Sequence, residues 1–262
     1  MEQAQILSER IQRLTAKTLA THPAGRGLCL VGGFRYRLLN ESARSSTDID
    51  YHWEGDLRTK QIEVAAALQS KLLPEIKRQF GYDGDVRPAV GPETESSAVR
   101  TIELALYRMT EPGSRIEIPV DLLDVARLDP PTVRTREGAV FLTVSDADMI
   151  ESKAIACVAR SFLEVRDVFD FFLFQDALRP DSPERLSKKL HGLGLPPAQA
   201  VGRLDRFIVQ RSARVKEIER LLDEQVDRTV ADHLRTGGAG AMIWDSVLTL
   251  LADLFAKARE VS

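Results

Sequence analysis

The feature that most limits what this chain can fold into is a change of pattern near residue 145. Before it, short apolar runs bounded by Gly and Pro alternate with amphipathic stretches. After it, every periodic segment has helical spacing. Strands confined to one part of a chain must form their own sheet and bury one face of it there. The pattern therefore predicts an α+β class: an N-terminal α+β domain with a small mixed sheet over 1–145, then a C-terminal helical domain over 146–262.

Within the first part, Ala4, Leu7, Ile11 and Leu14 have helical spacing over 4–20, and His22-Pro23-Ala24-Gly25 ends that helix. Leu28 to Val31 reads as a strand closed by Gly32-Gly33. A helix is expected over 34–39, a polar loop over 40–47, a strand over 48–53 and a long helix over 58–79. Strands are expected over 85–88, 99–107, 115–123 and 141–144, with turns at Gly91-Pro92 and Glu111-Pro112-Gly113-Ser114. Ser145, three residues before Asp148, is a variant capping box. Helices are then expected over 146–160, 164–178, 183–191, 197–222, 225–235 and 241–259, with Pro183 at a first helical position.

The chain has 262 residues, enough for two modest domains, and a net charge of -3. No apolar run reaches the ~18 residues of a membrane span, and the charged, amphipathic N-terminus lacks the features of a secretory signal. Cys29 and Cys157 lie in apolar segments and read as reduced core thiols. Together these point to a cytoplasmic protein with no membrane partner. Arginines cluster at Arg203, Arg206, Arg211, Arg214 and Arg220 with Lys216, and again at Arg108, Arg115, Arg127, Arg134 and Arg136. Local basic surface can hold nucleic acid on an acidic protein, or be a solvated face among acids.

Asp48 and Asp50 carry the chemistry. Residues i and i+2 of a strand share a side, so the two carboxylates stand together and repel. A hard divalent cation such as Mg²⁺ relieves that repulsion and takes one or two carboxylates plus substrate phosphates. Gly32 and Gly33 after a strand let the backbone come close to a triphosphate, and the helix behind them offers free N–H groups. His22, His52, His191 and His233 lack metal-ligand spacing; His52 could continue the acidic face. Trp53 and Trp244 read as packing residues. The helix over 164–178 is apolar around most of its circumference, so Asp167 and Asp170 need partners. Arg166 and Asp170, at i,i+4, can pair with one another, which leaves Asp167 as the candidate for the site.

Gly-Gly, fourteen residues and then Asp-Ile-Asp, with Arg44-Ser45-Ser46-Thr47 before the acids, resembles the AbiEii/AbiGii-type nucleotidyltransferase toxins of the DNA-polymerase-β superfamily. The resemblance spans about 28–175 and includes Lys153, Arg160 and Arg166-Asp167-Val168-Phe169-Asp170. It implies a polymerase-β-type nucleotidyltransferase domain and an enzyme moving a nucleoside monophosphate from an NTP to an acceptor hydroxyl with Mg²⁺ or Mn²⁺. A third metal-binding carboxylate is expected on a neighbouring strand: Glu117 first, Asp121 as the alternative on the same face. Either could take the acceptor's proton. Gly32, Gly33, Arg35, Ser46, Thr47, Lys153 and Arg160 are expected to hold the nucleotide, with Lys153 and Asp167 acting in catalysis. The resemblance further implies a toxin of a type IV-like toxin–antitoxin system, a cognate antitoxin as partner and tRNA, at its 3′ acceptor end, as the target. The alternatives are a small-molecule acceptor of the antibiotic-modifying kind, or a nucleotide-binding module without catalysis.

Overall fold

A computed structural model describes residues 2–89, 99–108, 110 and 115–261. The turns expected at Gly91-Pro92 and Glu111–Ser114 lie outside the described residues. The chain divides into two compact units. The first comprises Met1–Val125 and Pro131–Val144, the second Ala126–Pro130 and Ser145–Ser262. The division thus falls at 144/145, with five earlier residues counted in the second unit.

Unit 1 is built on a mixed seven-stranded sheet. Its strands are β1 (Cys29–Val31), β2 (Ile49–His52), β3 (Asp83–Pro88), β4 (Val99–Tyr107), β5 (Arg115–Leu123), β6 (Thr132–Arg136) and β7 (Ala139–Thr143). They run in the order β3-β4-β5-β2-β1-β7-β6. β2 runs parallel to β5 and β1 parallel to β7, and the other neighbours are antiparallel. Alternation gives the sheet two chemically different faces. Ile49, Tyr51, Ile102, Leu104, Leu106, Ile118, Val120 and Leu122 are buried. They join Ile11 and Leu19 of α1 (Glu2–Thr21), Val64 of α3 (Leu57–Ala67) and Ile76 of α4 (Leu73–Phe80) in one core. The intervening positions, Asp50, Thr101, Glu103 and Asp121 among them, form the polar face.

Two details differ from the sequence reading. The helix expected over 58–79 is interrupted by a π-turn, Leu68–Leu72, which leads into α4 with Pro74 in its first turn. Proline has no N–H to donate, and a widened turn accommodates it without a break in direction. β6 was not expected, because Arg134 and Arg136 give the segment the composition of a loop. It is one of the sheet's two edge strands and forms a hairpin with β7, Arg136 opposite Ala139. Glu137 and Gly138, both at positive φ, make the two-residue turn.

Unit 2 is helical. α5 (Asp146–Ala159) begins at Ser145, whose hydroxyl accepts from the Asp148 N–H at 3.0 Å. Then follow α6 (Val165–Phe174), α7 (Ser182–Gly192), α8 (Pro197–Arg203), α9 (Asp205–Glu224), α10 (Arg228–Thr236) and α11 (Ala239–Glu260). The single helix expected over 197–222 is two: around Leu204 consecutive i→i−3 bonds, Leu204 to Val201 and Phe207 to Leu204, tighten the chain and turn it. Among the described residues α11 has the length and composition of a membrane span. Its Ile243, Trp244, Val247, Leu251 and Phe255 are buried in the core of unit 2. Trp244 donates to the Phe207 carbonyl at 3.1 Å, so it packs, as expected.

Candidate active site

The acidic face of unit 1 is assembled by strand pairing. Val31 of β1 stands opposite Asp50, and Asp50 stands beside Asp121 in the parallel β2/β5 register. Asp48 stands one residue before β2, where alternation carried back from Asp50 puts it on the same side. Two aspartates on adjacent strands and one at the entry to β2 thus gather together. Burial raises the Asp121 carboxyl above the usual range; a hydrogen bond from Thr101 opposes this, and the negative charge of Asp48 adds to it.

The glycines serve this arrangement directly. Gly32, where β1 passes into α2 (Gly32–Leu39), has φ +74, and a Cβ there would fall on the Asp50 carboxylate. Only glycine lets the acid occupy that space. A Cβ on Gly33 would strike the Arg44 guanidinium and the Ser46 hydroxyl. Ser46 Oγ donates to Asp48 Oδ1 at 2.6 Å. Its carbonyl is held by Gln12 Nε2 of α1 at 3.0 Å, and buried Arg44 donates to the Ser45 carbonyl at 2.8 Å. The Arg-Ser-Ser-Thr segment thus aims Asp48 from behind. The room beside each glycine is filled by protein, so these glycines pack the acids rather than leaving an open cradle. Val31 offers no side-chain cap to α2.

The expectations for Glu117, Arg35 and His52 are corrected here. Glu117 is not the third carboxylate: it stands opposite Ala105, its side chain is 64% exposed, and it pairs with Arg115 at 2.6 Å. It shares a face with Asp121 but lies four residues back, roughly 13 Å along the strand. Asp121 holds the place beside Asp50. Arg35 is 0% exposed and bonds Thr143 Oγ1 at 3.1 Å and Asn40 Oδ1 at 2.6 Å, tying α2 to β7; it cannot present itself to a nucleotide. Thr47 is exposed on the loop. His52 is buried and its Nδ1 accepts from the Val125 N–H at 3.0 Å, a structural use.

Three aspartates offer the hard oxygen donors that suit a divalent cation. Among the described residues no group of three or more His, Cys, Asp or Glu side chains is placed to hold a metal ion as it stands. Mg²⁺ does not require one, since waters and substrate phosphates complete its shell. On the same face, a cleft of about 340 Å³ runs from Thr101 along Arg87, Glu103, Arg115, Glu117 and Pro119. Its charges are paired, Arg87 with Glu103 at 2.8 Å and Arg115 with Glu117.

In unit 2, Lys153 of α5 meets both acids of α6, Asp167 Oδ1 and Asp170 Oδ2, each at 2.8 Å. Arg160 reaches Asp167 at 3.3 Å. Two cations and two anions thus form a nearly closed cluster, with Asp167 as its hub. The arginines expected to form a basic stripe are corrected as well. Arg203 donates to the carbonyls of Val158 and Ala159, both at 3.2 Å. Arg206 donates to those of Cys157 and Arg160, at 2.6 and 2.7 Å. They close the C-terminus of α5, where unpaired carbonyls attract cations. Arg211 pairs with Asp245 and Arg214 with Glu217, both at 2.6 Å.

Sequence reasoning missed two sets of residues. Thr101 is one, an ordinary strand residue until its strand partner is known. The other is a buried ion network: Lys189, 0% exposed, meets Asp148 at 2.6 Å and Glu151 at 2.8 Å, and Arg185 meets Glu151, Asp148 and Asp129 at 2.7 to 2.9 Å. Asp148 also accepts the backbone N–H groups of Leu128 and Asp129, both at 3.0 Å. The spacings 148/151 and 185/189 would place each pair on one helix face, a signal that was available.

No family model and no curated protein matches the sequence. Solved structures do. JHP933 from Helicobacter pylori is 16% identical with a TM-score of 0.52, covering 98% of this chain and 95% of its own. A second H. pylori protein, assigned as a nucleotidyltransferase, is 17% identical with a TM-score of 0.55, covering 98% of each chain. MenT4, a nucleotidyltransferase toxin from Mycobacterium tuberculosis, is 17% identical with a TM-score of 0.53, covering 72% of this chain and 65% of its own. At these identities the likeness is one of architecture, and it agrees with the α+β class read from the sequence: the chain has a nucleotidyltransferase fold.

Proposed function

We propose that the protein is a Mg²⁺-dependent nucleotidyltransferase whose metal-binding residues are Asp48, Asp50 and Asp121. One observation carries the reading above the rest: the register that sets Asp50 beside Asp121 while Gly32 leaves its side-chain space to Asp50. Asp48, Asp50 and Asp121 would hold the cation, which when bound would supply neutralisation of the charge on the attacking and leaving oxygens of an in-line displacement. Asp48 is held in place by Ser46, and Asp50 occupies the space that Gly32 leaves open. In the reaction, the acceptor oxygen bonds to the α-phosphorus of the NTP, the α–β anhydride bond breaks and pyrophosphate leaves. Asp121, bonded to the cleft-lining Thr101, takes the acceptor's proton. The uncapped first turn of α2 offers N–H groups to phosphate oxygens. Lys153 and Arg160 are proposed as further nucleotide contacts, with Asp167 orienting them; to act, Lys153 must exchange one of its carboxylates for a phosphate.

The acceptor is proposed to be RNA, the tRNA 3′ end, with the protein acting as the toxin of a toxin–antitoxin pair in the cytoplasm. Support comes from the motif resemblance and from the toxin among the structural neighbours. One observation favours the second reading, a small-molecule acceptor: Arg203, Arg206, Arg211 and Arg214 are engaged within unit 2 rather than arrayed for phosphates. A single experiment addresses both. The chain is incubated with each α-labelled NTP, Mg²⁺ and total RNA plus a small-metabolite extract. Label in a tRNA-sized band supports the first reading and label only in small metabolites the second. No label with any NTP, or equal label from Asp50→Asn, overturns the enzyme reading.

A further inference from the structure

Thr101 lies on β4 directly opposite Asp121, and its hydroxyl donates to Asp121 Oδ1 at 2.6 Å. The strand is pinned at that residue. Buried Gln61 of α3 donates Nε2 to the Thr101 carbonyl at 2.5 Å, and the Ala89 N–H reaches the same oxygen at 2.9 Å. A β-branched side chain in a fixed strand has few rotamers to choose from, so the hydroxyl is delivered to one place. Asp50 stands beside Asp121 in the β2/β5 register and brings a second carboxylate rather than a donor. Without the Thr101 hydroxyl, the Asp121 side chain is free to turn to another rotamer.

We infer that Thr101 is a positioning residue for Asp121: it occupies one carboxylate oxygen, fixes the side-chain rotamer and leaves the other oxygen to a divalent cation. The inference rests on the metal-site reading above. Gln61 extends the arrangement by one step, carrying support from α3 through the Thr101 backbone to the acid.

The test uses the full chain and Mn²⁺ as the probe, with free Mn²⁺ followed by electron paramagnetic resonance. Thr101→Val removes the donor but keeps the branched outline and the strand preference; Thr101→Ser restores the donor. If Val does not fold, Thr101→Ala removes the same donor with no branched methyl to place. Loss of a charge-assisted hydrogen bond should weaken Mn²⁺ binding roughly tenfold. It should lower kcat alongside, leave the KM for NTP nearly unchanged, and be reversed by Ser. A purely structural threonine would lower Tm without that split. Wild-type Mn²⁺ affinity in Thr101→Val while Asp121→Ala has lost it, or a failure of Ser to restore it, overturns the role of Thr101 alone. Unchanged affinity in both Thr101→Val and Asp121→Ala overturns the metal-site reading, and this inference with it.

Discussion

Asp50 and Gly32 compete for one volume, and the acid has it. Gly32→Ala would have to move the carboxylate and hold a side chain at φ +74, a left-handed conformation that costs ~1–2 kcal/mol by itself. We expect a lowered Tm together with a loss of Mn²⁺ binding; a stable Gly32→Ala that binds Mn²⁺ normally would show that Asp50 is not the residue the glycine serves. Asp50→Asn and Asp121→Asn should abolish transfer with little change in urea midpoint, since both acids are only partly buried. Retained activity in either removes that residue from the metal set. Lys153 answers to a different rule. Lys153→Met takes the shared cation from Asp167 and Asp170, leaving Arg160 on Asp167, and breaking a buried pair costs about 3–5 kcal/mol. A shift in the urea curve below ~1 kcal/mol would mean the cluster reorganises readily and Lys153 is free to serve a substrate. At this scale the sequence was a good guide where geometry is local. Asp48 and Asp50 share a side because strands alternate, and that needs no partner strand. It could not choose between Glu117 and Asp121, which alternation treats alike and only the β2/β5 register separates.

Elements set what the basic residues do. The C-terminus of α5 presents four carbonyls, of Cys157, Val158, Ala159 and Arg160, and Arg203 and Arg206 cover them. Replacing both by Ala should cost ~2–4 kcal/mol at about 1–2 kcal/mol for each lost capping interaction, read as a lower urea midpoint and faster amide exchange near Cys157. No stability change would return the two arginines to solvent. Helix positions were legible from periodicity and Ser145 from its cap, because both depend on neighbours in sequence. The breaks at Leu68–Leu72 and Leu204 and the edge strand β6 were not. The breaks follow from how turns pack and bond locally, and β6 from a partner strand lending order to a charged segment.

On the scale of the whole molecule, across the described residues, Arg203, Arg206, Arg211 and Arg214 of the late basic cluster are engaged by protein partners. If RNA is the acceptor, those four are not open to release counterions. The log–log salt slope of RNA binding should then be shallow, about −2 or less in magnitude, at ~0.7 per phosphate contact for a single strand. A slope several times steeper would point to a basic surface not evident in these pairings. Acid acts on other pairs. Asp148 and Asp129 hold their carboxyls below the usual range: in Asp148 burial acts against this and the Lys189 contact prevails, and in Asp129 the Ser145 hydrogen bond leads. Groups depressed in the folded state stabilise it fully above their unfolded values, so the contribution stays intact down to about pH 4 and fades below it. Lys189→Met should remove part of that acid sensitivity, followed as urea midpoint against pH from 3 to 6.

Because Ala126–Pro130 belongs to unit 2 although unit 1 resumes at Pro131, the polypeptide passes from one unit to the other three times. No single scission can release both units whole. A fragment starting at Ser145 would lack Asp129, so Arg185 would lose one of its three carboxylates and Asp148 the two N–H groups it accepts. A protease nick in that five-residue crossing should therefore loosen the helical unit even though every helix of it remains uncut.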